Sequence, residues 1–265
     1  MKKILFICLM AFHVLSSYSQ TRIIAHRGFW NCDGSAQNSI TALKKASQIP
    51  VYGSEFDVLM TSDGTLVVNH DDVIGSDTIN LTPYARIKET KLNNGETLPL
   101  LSDYLQAGKQ LPETQLILEI KPHLTKELED RAVAALSSIS RKRMPSQNPA
   151  AAGTNEKGLE KQVEYISFSM NICEQLVKLS PTSEIAYLKS DIAPSVIREK
   201  GLTGIDYYYK VFDKHPEWVE EAHKVGLKVN VWTVNETPDL QKMLDLKVDF
   251  ITTDHPVEAK ELASK

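Results

Sequence analysis

What most constrains the fold of this chain is a rhythm: eight short apolar or β-branched runs, separated by longer segments with helical spacing. The runs occupy residues 22–26, 53–58, 115–120, 163–168, 184–188, 203–208, 228–233 and 249–252, and helical patterns cover 39–48, 125–140, 216–225 and 238–246. Alternation of this kind argues for parallel strands with covering helices. Eight such units within about 245 residues suit closure into a barrel better than an open sheet, which predicts an α/β fold of the (β/α)8 TIM-barrel type. With 265 residues and 42% hydrophobic content, one domain can bury a sizeable core. Two stretches break the rhythm. Residues 66–70 look like a strand continuing past the Asp63-Gly64 turn, and 144–158, rich in Pro, Ala, Asn and Gly, reads as a mobile surface loop. The neighbouring Arg141-Lys142-Arg143 cluster reads as a solvated helix end.

The first residues have a different character. Lys2 and Lys3 precede an apolar run over residues 4–15, and small residues follow at Ser17 and Ser19, the order of a secretory signal peptide. Residues 1–19 are therefore expected to be a leader and 20–265 the barrel domain, exported to the periplasm or beyond the cell. The apolar run is too short to span a bilayer, so no stable membrane anchor is expected. Cys8 lies inside that run without a following site for lipid attachment, and the two remaining cysteines, Cys32 and Cys173, belong to distant elements of the expected barrel, which disfavours a disulfide. The net charge of −4 offers no general cationic field for a nucleic-acid backbone. Recognition of a small phosphate-bearing molecule by a local cluster remains open.

In such barrels the reactive groups gather where strands end, at the C-terminal face. The first run leads directly into His26-Arg27-Gly28, bringing an imidazole and a forked guanidinium donor to that mouth. The second carries Glu55 and Asp57 two positions apart, so both carboxylates leave one face of the strand. Neighbouring buried anions repel unless a cation joins them. The third run ends in Glu119 and Lys121 with the same spacing, adding a third carboxylate and a base. Oxygen donors without a cysteine or paired-histidine motif favour one hard divalent cation, Mg²⁺ or Ca²⁺. His70 closes the 66–70 run beside Asp71 and Asp72, and two histidines at one mouth suit an acid and a base. Trp232 offers a flat apolar wall for an alcohol group, and Tyr187, Lys189, Asp206 and Tyr208 are further candidates to face substrate. Singly, each has an ordinary structural alternative: a packed tryptophan, a structural histidine, a solvated acidic pair. The functional reading rests on their convergence at one rim.

These residues resemble the glycerophosphodiester phosphodiesterase family. The matching segments are His26-Arg27-Gly28, Gly53-Ser54-Glu55-Phe56-Asp57, Thr61-Ser62-Asp63-Gly64, Asn69-His70-Asp71, Glu119-Ile120-Lys121, Trp232-Thr233-Val234-Asn235 and Thr253-Asp254-His255-Pro256, in the family's order. The resemblance implies metal-dependent hydrolysis of glycerophosphodiesters to glycerol 3-phosphate and an alcohol. Glu55, Asp57 and Glu119 would hold the metal, His26 and His70 would act as general base and acid, and Arg27 and Lys121 would hold phosphate. A phosphoinositide- or lysophospholipid-type phosphodiesterase with the same centre, or a catalytically silent barrel that captures phosphate esters, are the alternatives. The chain departs from the family pattern in Ala36-Gln37-Asn38-Ser39, where a neutral amide replaces a carboxylate. Its 71–100 segment is also too short for the large lid that some members carry, which predicts an open mouth.

Overall fold

The computed structural model describes residues 20–141 and 161–265, so the expected leader and the 144–158 loop lie outside the described residues. Eight parallel strands form the barrel wall: β1 (Arg22–Ala25), β2 (Gly53–Met60), β6 (Gln115–Ile120), β7 (Val163–Ser167), β8 (Ile185–Tyr187), β9 (Gly204–Tyr208), β10 (Lys228–Trp232) and β11 (Phe250–Thr253). They follow one another around the sheet, and a β1–β2 pairing, with Ile24 opposite Gly53, closes the ring. All eight expected runs are strands of this one sheet. The 66–70 run supplies β3 (Leu66–Val68), which turns back antiparallel along the end of β2. A small hairpin, β4 (Val73–Ile74) with β5 (Asp77–Thr78), continues from it.

Between the strands run α1 (Ile40–Ala46), α2 (Tyr84–Ile87), α3 (Leu101–Lys109), α4 (Lys126–Arg141), α5 (Met170–Leu179), α6 (Pro194–Glu199), α7 (Glu217–Lys224), α8 (Thr237–Asp245) and α9 (Pro256–Ala263). Their starts carry local signals. Ser39 caps α1 by accepting from the Ala42 N–H at 3.0 Å, Ser169 caps α5 from the Ile172 N–H at 3.3 Å, and prolines occupy the first turn of α6, α8 and α9. The helices press apolar faces onto the outward side chains of the strands. Phe56 on β2, for example, stacks on Tyr104 of α3 with ring centroids 4.3 Å apart, and both are fully buried. Burial of a side chain of this class contributes roughly 1.5–3 kcal/mol. Covered on the outside by helices and on the inside by the lumen, every residue of β2 is buried, as expected of parallel strands enclosed on both faces.

Side-chain alternation sorts the inward positions into tiers. From bottom to top, β1 turns Arg22, Ile24 and the following His26 inward, β6 turns Gln115, Ile117 and Glu119, and β9 turns Gly204, Asp206 and Tyr208. Ile24, Ile117, Ile166, Leu188 and Phe250 form an interior cluster of their own, separate from the larger core between strands and helices. Above it the polar side chains collect.

Candidate active site

At the upper end of the lumen the register sets Asp57 beside Glu119, and Glu55 sits two residues below Asp57 on the same strand. One oxygen of each lies within 4.8 Å of the others, and all three residues are buried. Burial, then repulsion from Asp57 and Glu119, pushes the Glu55 carboxyl well above its ordinary range, and the same forces push Glu119 up to about 8. Asp57 goes the other way. Burial raises it, but Lys121, His70, Asn38 and Arg27 together outweigh that and hold it below the usual aspartate value. Three carboxyls at such separations cannot all ionise without added positive charge, so the donor set fits a hard divalent cation bound by oxygen.

The surrounding cations are themselves tethered to the triad. Lys121 Nζ lies 3.2 Å from Asp57 Oδ1 and 3.0 Å from Glu119 Oε1. Arg27 takes a left-handed backbone conformation, φ 54°, and its N–H donates to Glu55 Oε2 at 2.8 Å. Its guanidinium stands 3.6 Å from Asp57 Oδ2 through Nε and donates from Nη1 to the Gln37 amide oxygen at 2.7 Å. Gln37, in place of the expected carboxylate, therefore engages Arg27 without neutralising it.

Each histidine is oriented by a carboxylate. His26 Nδ1 is 2.8 Å from Asp254 Oδ1, which leaves Nε2 facing the triad, 4.0 Å from Glu55 Oε2. Asp254 also accepts from Trp30 Nε1 at 3.0 Å and Asn235 Nδ2 at 2.8 Å, and despite its burial these contacts hold its carboxyl far below the usual range. His70 is carried by the turn after β3, where the Asn69 N–H donates to the Asp57 carbonyl at 3.0 Å, and its Nδ1 lies 2.7 Å from Asp71 Oδ1. Partial burial lowers its pKa, against the opposing pull of Asp57.

The structure thus brings His26, Arg27, Glu55, Asp57, His70, Glu119 and Lys121 to one mouth. Trp232 ends β10 at the same rim, its Nε1 donating to the Asp206 carbonyl at 2.9 Å and its ring meeting Phe168 edge-on at 5.3 Å and Tyr208 at 5.5 Å. The other candidates to face substrate divide. Tyr208 is exposed beside Trp232, whereas Tyr187 points outward from β8, buried, with its hydroxyl donating to Asp191 at 3.1 Å. Lys189 pairs with that same Asp191, 3.2 Å away, and Asp206 lies one tier lower, inside the barrel. The reason is parity: Tyr187 falls between the inward positions 186 and 188, and Asp206 is two residues short of the rim.

Two contributors escaped the reading of strand ends. Asn38 grips Asp57 twice, donating from Nδ2 to Oδ2 at 2.9 Å and accepting the Asp57 N–H on Oδ1 at 3.1 Å. It sits in a loop with φ 60°, where no strand periodicity marks it. Asp254, the partner of His26, stands in the quoted Thr253-Asp254-His255-Pro256 segment, just beyond β11, so its position at a strand end was the available signal.

A family model described as the glycerophosphoryl diester phosphodiesterase family matches residues 26–258. A glycerophosphodiester phosphodiesterase from Caldanaerobacter subterraneus is 26% identical over 255 residues, covering 93% of this chain and 99% of that protein. A solved glycerophosphodiester phosphodiesterase structure from Parabacteroides distasonis superposes with a TM-score of 0.85 at 42% identity, over 92% of this chain and 97% of the other. An Oleispira antarctica phosphodiesterase, solved in complex with the product sn-glycerol-3-phosphate, has a TM-score of 0.75 over 93% of this chain and 98% of its own, but at 24% identity it shows likeness of fold alone.

Proposed function

Because the chain belongs to the glycerophosphoryl diester phosphodiesterase family and is with it a phosphoric diester hydrolase, we propose that it hydrolyses small glycerophosphodiesters to glycerol 3-phosphate and an alcohol, with a divalent cation and two histidines. The observation that carries this reading is the buried Glu55, Asp57 and Glu119 triad flanked by two imidazoles, each held through Nδ1 by an aspartate. Glu55, Asp57 and Glu119 would hold the cation. When bound, it would supply positive charge to the phosphoryl oxygens.

The side chains of this protein supply the rest. Arg27 presents guanidinium donors to the non-bridging oxygens, and Lys121, anchored by two carboxylates, adds a second fixed charge. With Nδ1–H donated to Asp254, His26 keeps the lone pair of Nε2 directed toward the triad, the tautomer needed to accept a proton. His70 is oriented in the same manner by Asp71. One imidazole takes the proton of the attacking oxygen, whether from water or a substrate hydroxyl, as the new P–O bond forms. The other protonates the alkoxide as the old bond breaks. Trp232 and Tyr208 provide an apolar wall for the departing alcohol.

Turnover of glycerophosphocholine and glycerophosphoethanolamine, followed by release of glycerol 3-phosphate, tests the reaction. Activity that is lost on chelation and restored by Mg²⁺ or Ca²⁺ supports the cation; chelator-insensitive turnover overturns it. Release of inositol phosphate alone from a wider substrate panel would favour a phosphoinositide-directed enzyme. Binding of a glycerophosphodiester without turnover would favour a silent receptor. We also propose export, on the strength of the Lys2-Lys3 pair, the apolar run and the small residues before Gln20. Among the described residues no helix is long and apolar enough to cross a membrane. A mature N-terminus close to Gln20 on protein recovered outside the cytoplasm is the expected result, and an intact Met1 would refute it.

A further inference from the structure

Barrels of this kind fill their lumen with tiers of bulky side chains, yet the described residues leave the lower lumen hollow. A cavity of about 310 Å³ opens at the N-terminal end of the strands, where Arg22, Gln115, Val163, Gly204, Lys228 and Phe250 begin their elements. It lies at the opposite end of the barrel from the carboxylate triad. Its size follows from the inward residues of adjacent strands: Ala186 on β8 is opposite Gly204 on β9, so the wall contributes one methyl group where a leucine or isoleucine would normally project. Close-packed interiors contain few voids larger than a water molecule.

The hollow is polar at depth. Asp206, only 1% exposed, lines it, and its Oδ1 has no hydrogen-bond partner among the described residues. Asn230 serves this carboxyl with a hydrogen bond, but a buried carboxyl oxygen left over is costly, and native structures rarely keep one without a reason. Burial, with some repulsion from Glu164, outweighs the Asn230 hydrogen bond and pushes this carboxyl up to about 8. Glu164 also lines the cavity and accepts the Tyr52 hydroxyl; burial and Glu184 at the rim raise it, against partial relief from Tyr52 and the Arg22 guanidinium.

We propose that this lower lumen is a second ligand site, which takes a small primary ammonium compound with its ammonium group directed inward to Asp206 and Glu164. Three features select that class. Among the described residues, Glu55, Asp57 and Glu119 are the one group of three or more such ligand side chains close enough to share a metal ion, which leaves the lower acids to a hydrogen-bonded cation. A quaternary ammonium would need bare aromatic faces, but the Arg22 guanidinium already covers Tyr52 at 3.9 Å and Phe250 at 4.3 Å from the ring centroids. A primary ammonium needs acceptors instead, which the unpartnered Asp206 oxygen supplies.

Calorimetric titration of the metal-loaded mature protein with ethanolamine tests this, with choline and glycerol as comparison ligands. Saturable uptake of ethanolamine at one site per chain is expected, unaffected by saturating glycerol 3-phosphate and absent with choline or glycerol. Asp206→Asn, which removes the charge, and Ala186→Leu, which fills the hollow, should each weaken uptake by at least about tenfold. Ala186→Leu should leave phosphodiester turnover unchanged, and it keeps the test decisive if Asp206→Asn folds poorly. The proposal is overturned by equal uptake of glycerol or choline, by displacement with glycerol 3-phosphate, by undiminished affinity in Ala186→Leu, or by no saturable uptake at all.

Discussion

Asp254 and Asn38 do their work through other side chains. Asp254 touches none of the three metal-binding candidates, but it fixes which nitrogen of His26 faces them. Replacement by Asn keeps the size of the group and loses the preference for an Nδ1–H tautomer. We expect Asp254→Asn to lower kcat by about 10²- to 10⁴-fold with little change in KM, the pattern of lost acid–base chemistry rather than lost binding. Asn38 acts on Asp57, whose carboxylate and N–H it holds together. Asn38→Gly, which still tolerates the positive φ, should weaken metal affinity roughly 10- to 100-fold, as loss of an outer partner commonly does. Activity titrated with Mg²⁺ or Ca²⁺ checks this: the curve should move to higher metal while its plateau is largely retained.

The loop from β1 to α1 carries Arg27, Gln37 and Asn38, and its far end is held by the Ser39 cap. Ser39→Ala removes an acceptor at a fully buried helix start, at a cost of about 1 kcal/mol, visible as a lower urea midpoint with an unchanged m-value. A second junction joins α7, β10 and the start of β11 through Asp249, which contacts His223 Nε2 at 2.9 Å and accepts the Val229 N–H at 2.9 Å. Although burial raises its pKa, His223, Val229 and Lys228 outweigh that and hold it below the ordinary aspartate value. A carboxyl lowered by folding stabilises fully above its unfolded pKa, about 4. That contribution declines as pH falls from there through the folded value. Asp249→Asn should therefore be destabilised at pH 7, with the gap to wild type narrowing below about pH 4 in denaturation curves measured across that range.

Across the barrel a cation held by the triad would add to stability, because Glu55 on β2 and Glu119 on β6 are both raised above their normal range by burial and mutual repulsion. A ligand that binds only the folded chain at 100 times its Kd adds about 2.7 kcal/mol. For a domain near this size that corresponds to a rise of roughly 5–10 °C in Tm. Thermal melts with Mg²⁺ or Ca²⁺ and with chelator are expected to differ by that order, and Glu119→Gln should remove most of the difference.

The amino-acid order alone determined the strand and helix alternation, the closed barrel it implies, and the seven polar groups that end its first three runs and the 66–70 turn. Those are legible because they rest on local rules: strand length, two-residue alternation, and the habit of such barrels to expose reactive groups where strands end. Tyr187 and Asp206 escaped those rules, since one position along a strand reverses a side chain and two positions drop it by a tier. Asn38 and Asp254 are joined to their partners across 19 and 228 positions of sequence. Only the closing of the ring set those distances, and only closure around Ala186 and Gly204 left the lower lumen hollow among the described residues, because the space inside a barrel depends on all its strands at once.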